Sequence, residues 1–224
     1  MIGLDFSSAL AAWPLLLEGA IVTARITLTA MLVGLVWGTV LAVARLSPVR
    51  PLAWLATLYI NLFRSVPLVM VILWFFLIVP EVLHGLFGRA VGDIRLASAM
   101  VAFALFEAAY YAEILRAGIL SVPHGQMEAG LALGFTRGAT LRSIILPQAF
   151  RNMLPLLLTQ AVILFQDTSL VYVIGLADFF GMSYKIGDRD GRLTEMLIMA
   201  GAVYLCIGLL FSRLVARLQK RFSK

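Results

Sequence analysis

Three ionisable side chains lie inside long apolar stretches of this sequence. Glu107 is near the middle of the third stretch, Asp167 lies deep in the fourth with Gln160 before it, and Arg64 precedes Pro67 in the second. An unpaired charge at the depth of a lipid bilayer costs about 3 kcal/mol or more, so such residues mark either a pathway for polar solutes or a contact between helices. If the three stretches are neighbours, they could surround a polar cavity near the middle of the membrane.

A structural interpretation of the same residues stays open. Asp167 could pair with Arg64 or with another chain instead of contacting a solute. The hydroxyl groups of Thr168 and Ser169 could simply bond to carbonyl groups of their own helix. Sequence alone does not separate these two interpretations.

The composition requires a membrane protein. The chain has 224 residues, of which 62% are hydrophobic and 13% charged, with a mean hydropathy of +0.97. This excludes an ordinary globular enzyme and a disordered chain. The net charge of +6 lies in short flanks rather than in a stripe, which excludes a nucleic-acid binder. The single cysteine, Cys206, excludes a disulfide framework and a cysteine-based metal or redox site.

Five apolar runs predict five membrane-spanning helices, since each is near the ~20 residues needed to cross the hydrocarbon. Arg64 and Pro67 interrupt the second run, so we expect an interfacial or tilted stretch followed by a kink. Glu113 and Arg116 are three residues apart in the third run and predict a local ion pair. The runs are Ala20–Ala44, Arg50–Glu81 with its apolar part Leu68–Val79, Leu96–Ala117, Asn152–Leu176 and Leu193–Phe211.

The arginine and lysine residues between the runs predict the orientation. They are concentrated around Ser47, between the third and fourth runs, and in the tail after Phe211. These three places lie on one side of a five-span chain, and positive charge is enriched on the cytoplasmic side. The N-terminus is therefore expected outside and the C-terminus in the cytoplasm. Met1–Trp13 is expected to form a short interfacial helix on the outer face.

The segment 118–150 between the third and fourth runs is too polar to cross the membrane and too apolar to be disordered. Met127, Leu131 and Phe135 recur at helical spacing, Gly134 breaks the pattern and Pro147 closes it. This predicts two short helices joined at a glycine. A structured cytoplasmic segment of this length indicates a docking site for a partner, with a re-entrant cap as the alternative.

The same segment carries a family resemblance. Residues 125–134 (GQMEAGLALG) and 144–149 (IILPQA) resemble the EAA loop of ABC importer permeases, with Gly130 where a second alanine is usual. Further matches are typical of the polar amino acid subfamily and cover essentially the whole chain. Residues 165–172 most resemble the glutamate/aspartate branch. The further matches are 63–68 (FRSVPL), 110–116 (YYAEILR), 121–123 (SVP) and 167–170 (DTSL).

The resemblance implies an all-α integral membrane protein with the type I importer fold, forming one transmembrane permease domain over residues 1–224. It implies four kinds of partner in a bacterial inner membrane: a second permease chain, identical or homologous, two cytoplasmic ATPases, a periplasmic amino-acid-binding protein and the lipid bilayer. The chain has no Walker A sequence, so ATP and Mg²⁺ would bind to the ATPase. We therefore expect a permease that is not itself an enzyme and binds no cofactor or metal.

The resemblance also suggests roles for individual residues. In the EAA loop, Glu128 would make polar contacts with the ATPase, Gly134 would permit the turn, and the arginines would pair with acids on the ATPase or anchor the loop. The predicted coupling residues are Gly125, Glu128, Ala129, Gly130, Gly134, Arg137 and Arg142. For an amino acid in the membrane, Asp167 would bind the ammonium group and Arg64 the carboxylates. The predicted substrate-binding residues are Asp167, Arg64, Glu107, Thr168, Ser169 and Gln160.

Two other classes of protein can be compared with this interpretation. A membrane-embedded hydrolase would need a nucleophile elbow or an HExxH motif, and the two histidines, His84 and His124, are far apart in the sequence. A channel or secondary transporter for a small polar solute is the stronger alternative. The sequence shows no inverted repeat, and neither protein would need an EAA loop. Transport driven by an ion gradient alone would favour this alternative.

Overall fold

The computed structural model describes residues 5–87 and 93–222, and this part of the chain is helical with no β-strand. A π turn spans Leu141–Ile145, and a 3₁₀ helix spans Thr168–Ile174. The α-helices are α1 (Ser7–Ala11), α2 (Trp13–Arg45), α3 (Arg50–Ser65), α4 (Leu68–Phe87), α5 (Arg95–Leu120), α6 (Gly125–Ala132), α7 (Arg137–Thr140), α8 (Leu146–Asp167), α9 (Phe179–Arg189) and α10 (Leu193–Phe222).

Five of the described helical segments are long and apolar enough to cross a membrane, which confirms the predicted number of spans. They are α2, α4, α5, the continuous helix at 137–174 and α10. An odd number of spans places the two ends of the chain on opposite sides of the membrane. With the basic tail in the cytoplasm, α1 lies at the outer face.

The predicted kink in the second span is confirmed. Val66 has extended backbone angles (φ −109°, ψ 137°) between α3 and α4, and Pro67 follows it. Because a proline disfavours helical geometry in the preceding residue, the chain breaks there. The helix before the kink does not lie apart from the bundle. Ala56 and Ile60 of α3 are buried against the inner half of α5, whereas α4 packs against its outer half.

The centre of the bundle is the contact between α2 and α5. A β-carbon on Gly38 of α2 would lie 2.8 Å from the carbonyl oxygen of Ala108 and 2.9 Å from Cβ of Tyr111. The two helix backbones therefore touch where only a hydrogen atom fits, as small residues permit in membrane helices. Ile26 on α2 and Phe103 on α5 are completely buried in the adjoining core.

The helix that contains the fourth span begins earlier than the predicted run. The expected second short helix is not a separate element, because α7, the π turn and α8 form one continuous helix with the span itself. Pro147, expected to close the cytoplasmic segment, lies within the first turn of α8. A proline lacks an N–H group and clashes with the preceding turn, and the wider π turn just before it provides room for the ring.

The outer N-terminal helix is present in part. α1 covers Ser7–Ala11, whereas residues 1–4 of the predicted Met1–Trp13 helix lie outside the described residues. Arg192 forms an ion pair with Asp5 and donates a hydrogen bond of 2.8 Å to Oγ of Ser7. Ala12 and neighbouring apolar residues pack against α9 and α10. The N-terminal segment is therefore fastened to the outer end of the bundle.

Candidate functional site

The cytoplasmic segment forms a helix with a defined C-terminal turn. Gly134 has φ +83°, which few residues other than glycine adopt. Its N–H donates to the carbonyl of Leu131 (3.0 Å), and the N–H of Phe135 donates to the carbonyl of Gly130 (3.1 Å). These two bonds form a Schellman motif, which ends α6 and reverses the chain toward α7. The predicted glycine junction is confirmed, and its requirement is backbone conformation, since a β-carbon there would meet nothing within 4 Å.

α6 is held to the bundle on one side. Met127 packs against a buried cluster of Val122, Ile145 and Ala149, which connects the end of α5 with the start of the fourth span. Gly130 is the one buried residue of α6 and faces α7. The attached side of the helix is therefore small and apolar.

The rest of α6 and the turn that follows it are exposed and combine one carboxylate with apolar groups. Glu128 and Ala129 are exposed, and Leu131, Leu133 and Phe135 are 39%, 76% and 45% exposed. Arg137 and Arg142 are exposed as well, and neither forms an ion pair within the described part of the chain. An apolar surface with a polar rim, projecting from a membrane protein into the cytoplasm, is typical of a protein-binding surface.

Two predicted substrate residues lie together inside the bundle. The side-chain amide of Gln160 on α8 donates to both carboxylate oxygens of Glu107 on α5, at 3.1 and 3.2 Å. Glu107 is completely buried and Gln160 is 8% exposed. In this conformation a solute reaches neither side chain. The pair connects two neighbouring spans.

Arg64 lies in a different cluster, around Glu113. Arg116 donates to Glu113 at 2.5 Å, which confirms the ion pair predicted from their spacing. Arg45 of α2 bonds to the same carboxylate, and Arg64 of α3 approaches it at 3.9 Å. The guanidinium of Arg64 also lies 5.6 Å from the ring centre of Tyr110. One carboxylate thus connects three helices and is surrounded by three cations.

Asp167 forms no ion pair with Arg64 or with any other described residue. It is partly exposed at the end of α8, where the helix tightens into the 3₁₀ segment. The hydroxyl of Thr168 donates to the carbonyl of Phe165 (2.7 Å), and that of Ser169 donates to the carbonyl of Gln166 (2.9 Å). The hydroxyls therefore bond to their own helix, and the carboxylate stays available to another group.

A polar junction at the outer face was not identified from the sequence. Asp178 is buried and accepts hydrogen bonds from the backbone N–H groups of Gly181 (2.8 Å) and Phe180 (3.3 Å), so it caps α9. The N–H of Phe179 donates to the hydroxyl of Thr23 on α2 (3.1 Å). Burial raises the pKa of Asp178 to about 6. An aspartate just before a helix is a recognisable signal for a helix cap. The hydrogen bond between the start of α9 and Thr23 of α2 depends on the fold, and no local sequence pattern indicates it.

Comparisons with known proteins agree with this architecture. Residues 30–224 match the family described as "Binding-protein-dependent transport system inner membrane component", and the chain belongs to that family. The chain is 57% identical over 218 residues to the glutamate/aspartate import permease protein GltK of Escherichia coli O157:H7, covering 97% of each chain. It is 35% identical to the arginine transport system permease protein ArtQ of Bacillus subtilis, covering 93% of each.

The fold agrees with a solved relative. The crystal structure of an amino acid ABC transporter with histidines contains a chain that is 32% identical and superposes with a TM-score of 0.87. The match covers 98% of this chain and 100% of the other. The predicted type I importer permease fold is confirmed.

Proposed function

We propose that this chain is the permease subunit of an ATP-driven importer of glutamate and aspartate. The observation that carries the proposal is the 57% identity with GltK over 97% of both chains, which extends through every span and through the cytoplasmic segment. ArtQ, named for arginine, is much less similar at 35% identity. The difference between these two levels of identity favours an acidic amino acid as the substrate.

The exposed side of α6 would transmit the work of ATP hydrolysis. Leu131 and Phe135 supply apolar area for a groove on an ATPase subunit, and Glu128 supplies a carboxylate for a polar contact there. Arg137 and Arg142 would meet acidic groups at the rim of the groove. ATP and Mg²⁺ would bind to that partner, and this chain would catalyse no reaction itself.

The remaining partners follow from the family. A second permease chain would complete the pathway, two ATPases would bind on the cytoplasmic side, and a periplasmic binding protein would deliver the substrate at the outer face near α9. The complex would reside in the inner membrane of a bacterium. Family membership supports the ATPase and binding-protein partners and the inner-membrane location.

Within the membrane, Asp167 would bind the substrate's ammonium group, since its carboxylate has no ion-pair partner among the described residues. Arg64 would take a carboxylate of the substrate. Its side chain is 41% exposed, and its guanidinium lies 3.9 Å from the Glu113 carboxylate, too far for a hydrogen bond. Its N–H groups can therefore donate to a substrate. Ser169 would lie beside Asp167, whereas the buried side chains of Thr168, Glu107 and Gln160 would reach a solute only if the spans separated.

Uptake by the complete complex in proteoliposomes tests the substrate and the energy source. With ATP inside and the binding protein outside, radiolabelled glutamate and aspartate should accumulate, and excess arginine should not compete. Accumulation driven by an ion gradient without ATP would refute the proposal. Transport of arginine in preference to glutamate would refute the substrate assignment.

Glu128→Lys tests the coupling role of α6. Opposite charge at a desolvated contact should cost roughly 2 kcal/mol or more, which corresponds to at least about thirtyfold slower uptake. The amount of permease in the membrane should not change, because Glu128 is exposed and forms no ion pair within the described residues. Glu18→Lys, the same change at an exposed position of α2, is the matched control. Normal uptake by the Glu128 variant would show that α6 does not transmit the coupling.

A further inference from the structure

The contact between α6 and α7 has no spare room. Thr140 of α7 is completely buried beneath Gly130 of α6. A β-carbon on Gly130 would lie 2.4 Å from Cγ2 of Thr140, 2.7 Å from its Oγ1 and 3.1 Å from its Cβ. Carbon atoms in ordinary contact are about 3.5–4.0 Å apart. An alanine at position 130 would therefore have to push α6 away from α7 by roughly 1 Å.

Thr140 is not free to give way. Its hydroxyl donates to the carbonyl of Thr136 at 3.0 Å, so a rotation of the side chain breaks a partly buried hydrogen bond. Its branched β-carbon already restricts rotation in a helix. The hydroxyl of Thr136 in turn accepts from the N–H of Ala139 at 3.2 Å and caps α7. The position of the Thr140 methyl group is thus fixed by α7 itself.

Two contacts together set the angle of α6. Met127, near its start, packs on the cluster that contains Ile145, and Gly130, near its end, rests on Thr140. Glu128 lies on the exposed part of the helix surface, away from these two contacts. Moving the Gly130 contact while Met127 stays in place would tilt the exposed side.

We infer that Thr140 is a positioning residue for coupling, matched to the glycine at position 130. The EAA pattern usually has an alanine at this position, and here the side-chain volume that is absent from α6 is supplied by Thr140. The pair sets the angle at which α6 presents its surface to an ATPase. This inference rests on the proposed function, because it specifies how the coupling surface is held.

Gly130→Ala in the complete complex tests the inference. We expect co-purification of the ATPase and ATP-dependent uptake to fall about tenfold, the equivalent of roughly 1.4 kcal/mol, because the tilt shifts the exposed surface away from its fitted position. Thr140→Ala removes both atoms that approach closest, so the double variant should recover to within about twofold of the original protein. Thr140→Ser removes the closer atom and keeps the hydroxyl, so its double variant should recover in part.

Gly138 of α7 offers a matched control for the added methyl group. A β-carbon on Gly138 would meet nothing within 4 Å. Gly138→Ala should therefore leave ATPase binding and uptake unchanged. If Gly138→Ala reduces coupling as strongly as Gly130→Ala, the cause is a general intolerance of the segment and the inference is wrong.

Two further results would overturn the inference. The first is normal coupling in Gly130→Ala. The second is a double variant that couples no better than Gly130→Ala alone, including the case in which Thr140→Ala restores only the amount of permease in the membrane. Glu128→Lys separates this failure from failure of the proposed function. If Glu128→Lys abolishes uptake while Gly130→Ala does not, α6 couples and only the role of Thr140 is refuted.

Discussion

The carboxylates of α5 contrast with those on α6 and at the end of α8. Glu107 receives two hydrogen bonds from Gln160, and Glu113 is surrounded by three arginines from three helices. Glu128 and Asp167 have no ion pair within the described part of the chain. The α5 carboxylates hold helices together, whereas the other two are left for groups outside the chain.

This difference separates two uses of a charge in a membrane protein. When a carboxylate has hydrogen-bond or ion-pair partners inside the fold, these interactions offset the free energy of removing it from water. Substituting such a carboxylate should therefore lower the stability of the protein. A carboxylate without internal partners adds little to stability, and its loss should be measured as lost transport. Stability and uptake, measured on the same variants, therefore test the comparison.

The largest effect is expected at Glu107. Glu107→Ala removes both bonds to Gln160 and leaves a cavity in the bundle, which should lower the free energy of unfolding by about 3 kcal/mol. Thermal denaturation of the purified complex measures this. Glu107→Gln keeps the shape and one hydrogen bond and should cost much less. A Glu107→Ala complex of unchanged stability that no longer transports would contradict the structural role and favour a substrate contact.

Gly134 comes next. Gly134→Val places a branched residue at φ +83°, at a cost of about 1–2 kcal/mol in the turn that ends α6. ATPase co-purification should fall while the spans stay folded. Gly134→Asn is the matched variant, because asparagine tolerates this conformation better and should retain most coupling. Equal losses in both variants would show that the side chain, and not the backbone angle, is at fault.

Asp167→Asn should lower uptake about tenfold, the equivalent of roughly 1.4 kcal/mol. The substitution keeps volume and hydrogen-bonding capacity and removes the charge proposed to bind an ammonium group. Thermal stability of the complex should stay unchanged. If the Asp167→Asn complex fails to assemble, Asp167 joins helices, as Glu107 does. Unchanged uptake would place the substrate site elsewhere.

The smallest effect is expected at the outer face. Hydrogen bonds from the Ser7 backbone and from Arg192 lower the pKa of Asp5 to about 2, below its ordinary value of 3.8. The carboxylate therefore contributes most above pH 4, and the contribution is lost as the pH falls from about 4 to 2. The protection factors of the α1 amides, which correct for the intrinsic pH dependence of hydrogen exchange, should fall over this range. Asp5→Asn should show low protection at every pH, and no difference between the two proteins would refute the role of the pair.

The sequence predicted the number of spans, the kink before Pro67 and the glycine junction because each depends on local chemistry. Apolar length identifies a span, and proline and glycine restrict the backbone wherever they occur. The pairing of Glu113 with Arg116 was predictable for the same reason, since both lie on one helix. Arg45 and Arg64 reach the same carboxylate from other helices, and no local pattern indicates that contact.

The start of the helix that contains the fourth span is a feature that local sequence patterns did not predict. A proline usually breaks a helix, so the sequence predicted that the cytoplasmic segment closes at Pro147. The π turn at Leu141–Ile145 removes the conflict, but no residue type identifies such a turn. In the candidate site, the burial of Glu107 likewise depends on the approach of α2 and α8. The position of the predicted coupling residues on the short helix α6 was easier to anticipate, because residues 125–134 are continuous in the sequence, and their coupling role stays a prediction.

The backbone contact at Gly38 has a mechanical consequence. A β-carbon on Gly38 would lie only 2.8 Å from the carbonyl oxygen of Ala108, so the two main chains are in direct contact. Sliding one helix along the other would bring a residue with a side chain to this contact, where there is no room for it. We therefore expect α2 and α5 to move as one rigid body while the rest of the bundle rearranges during transport. Spectroscopic labels on these two helices should keep a constant distance through the cycle. The pair would then serve as a fixed reference frame against which the movements of α4, α6 and α8 can be measured.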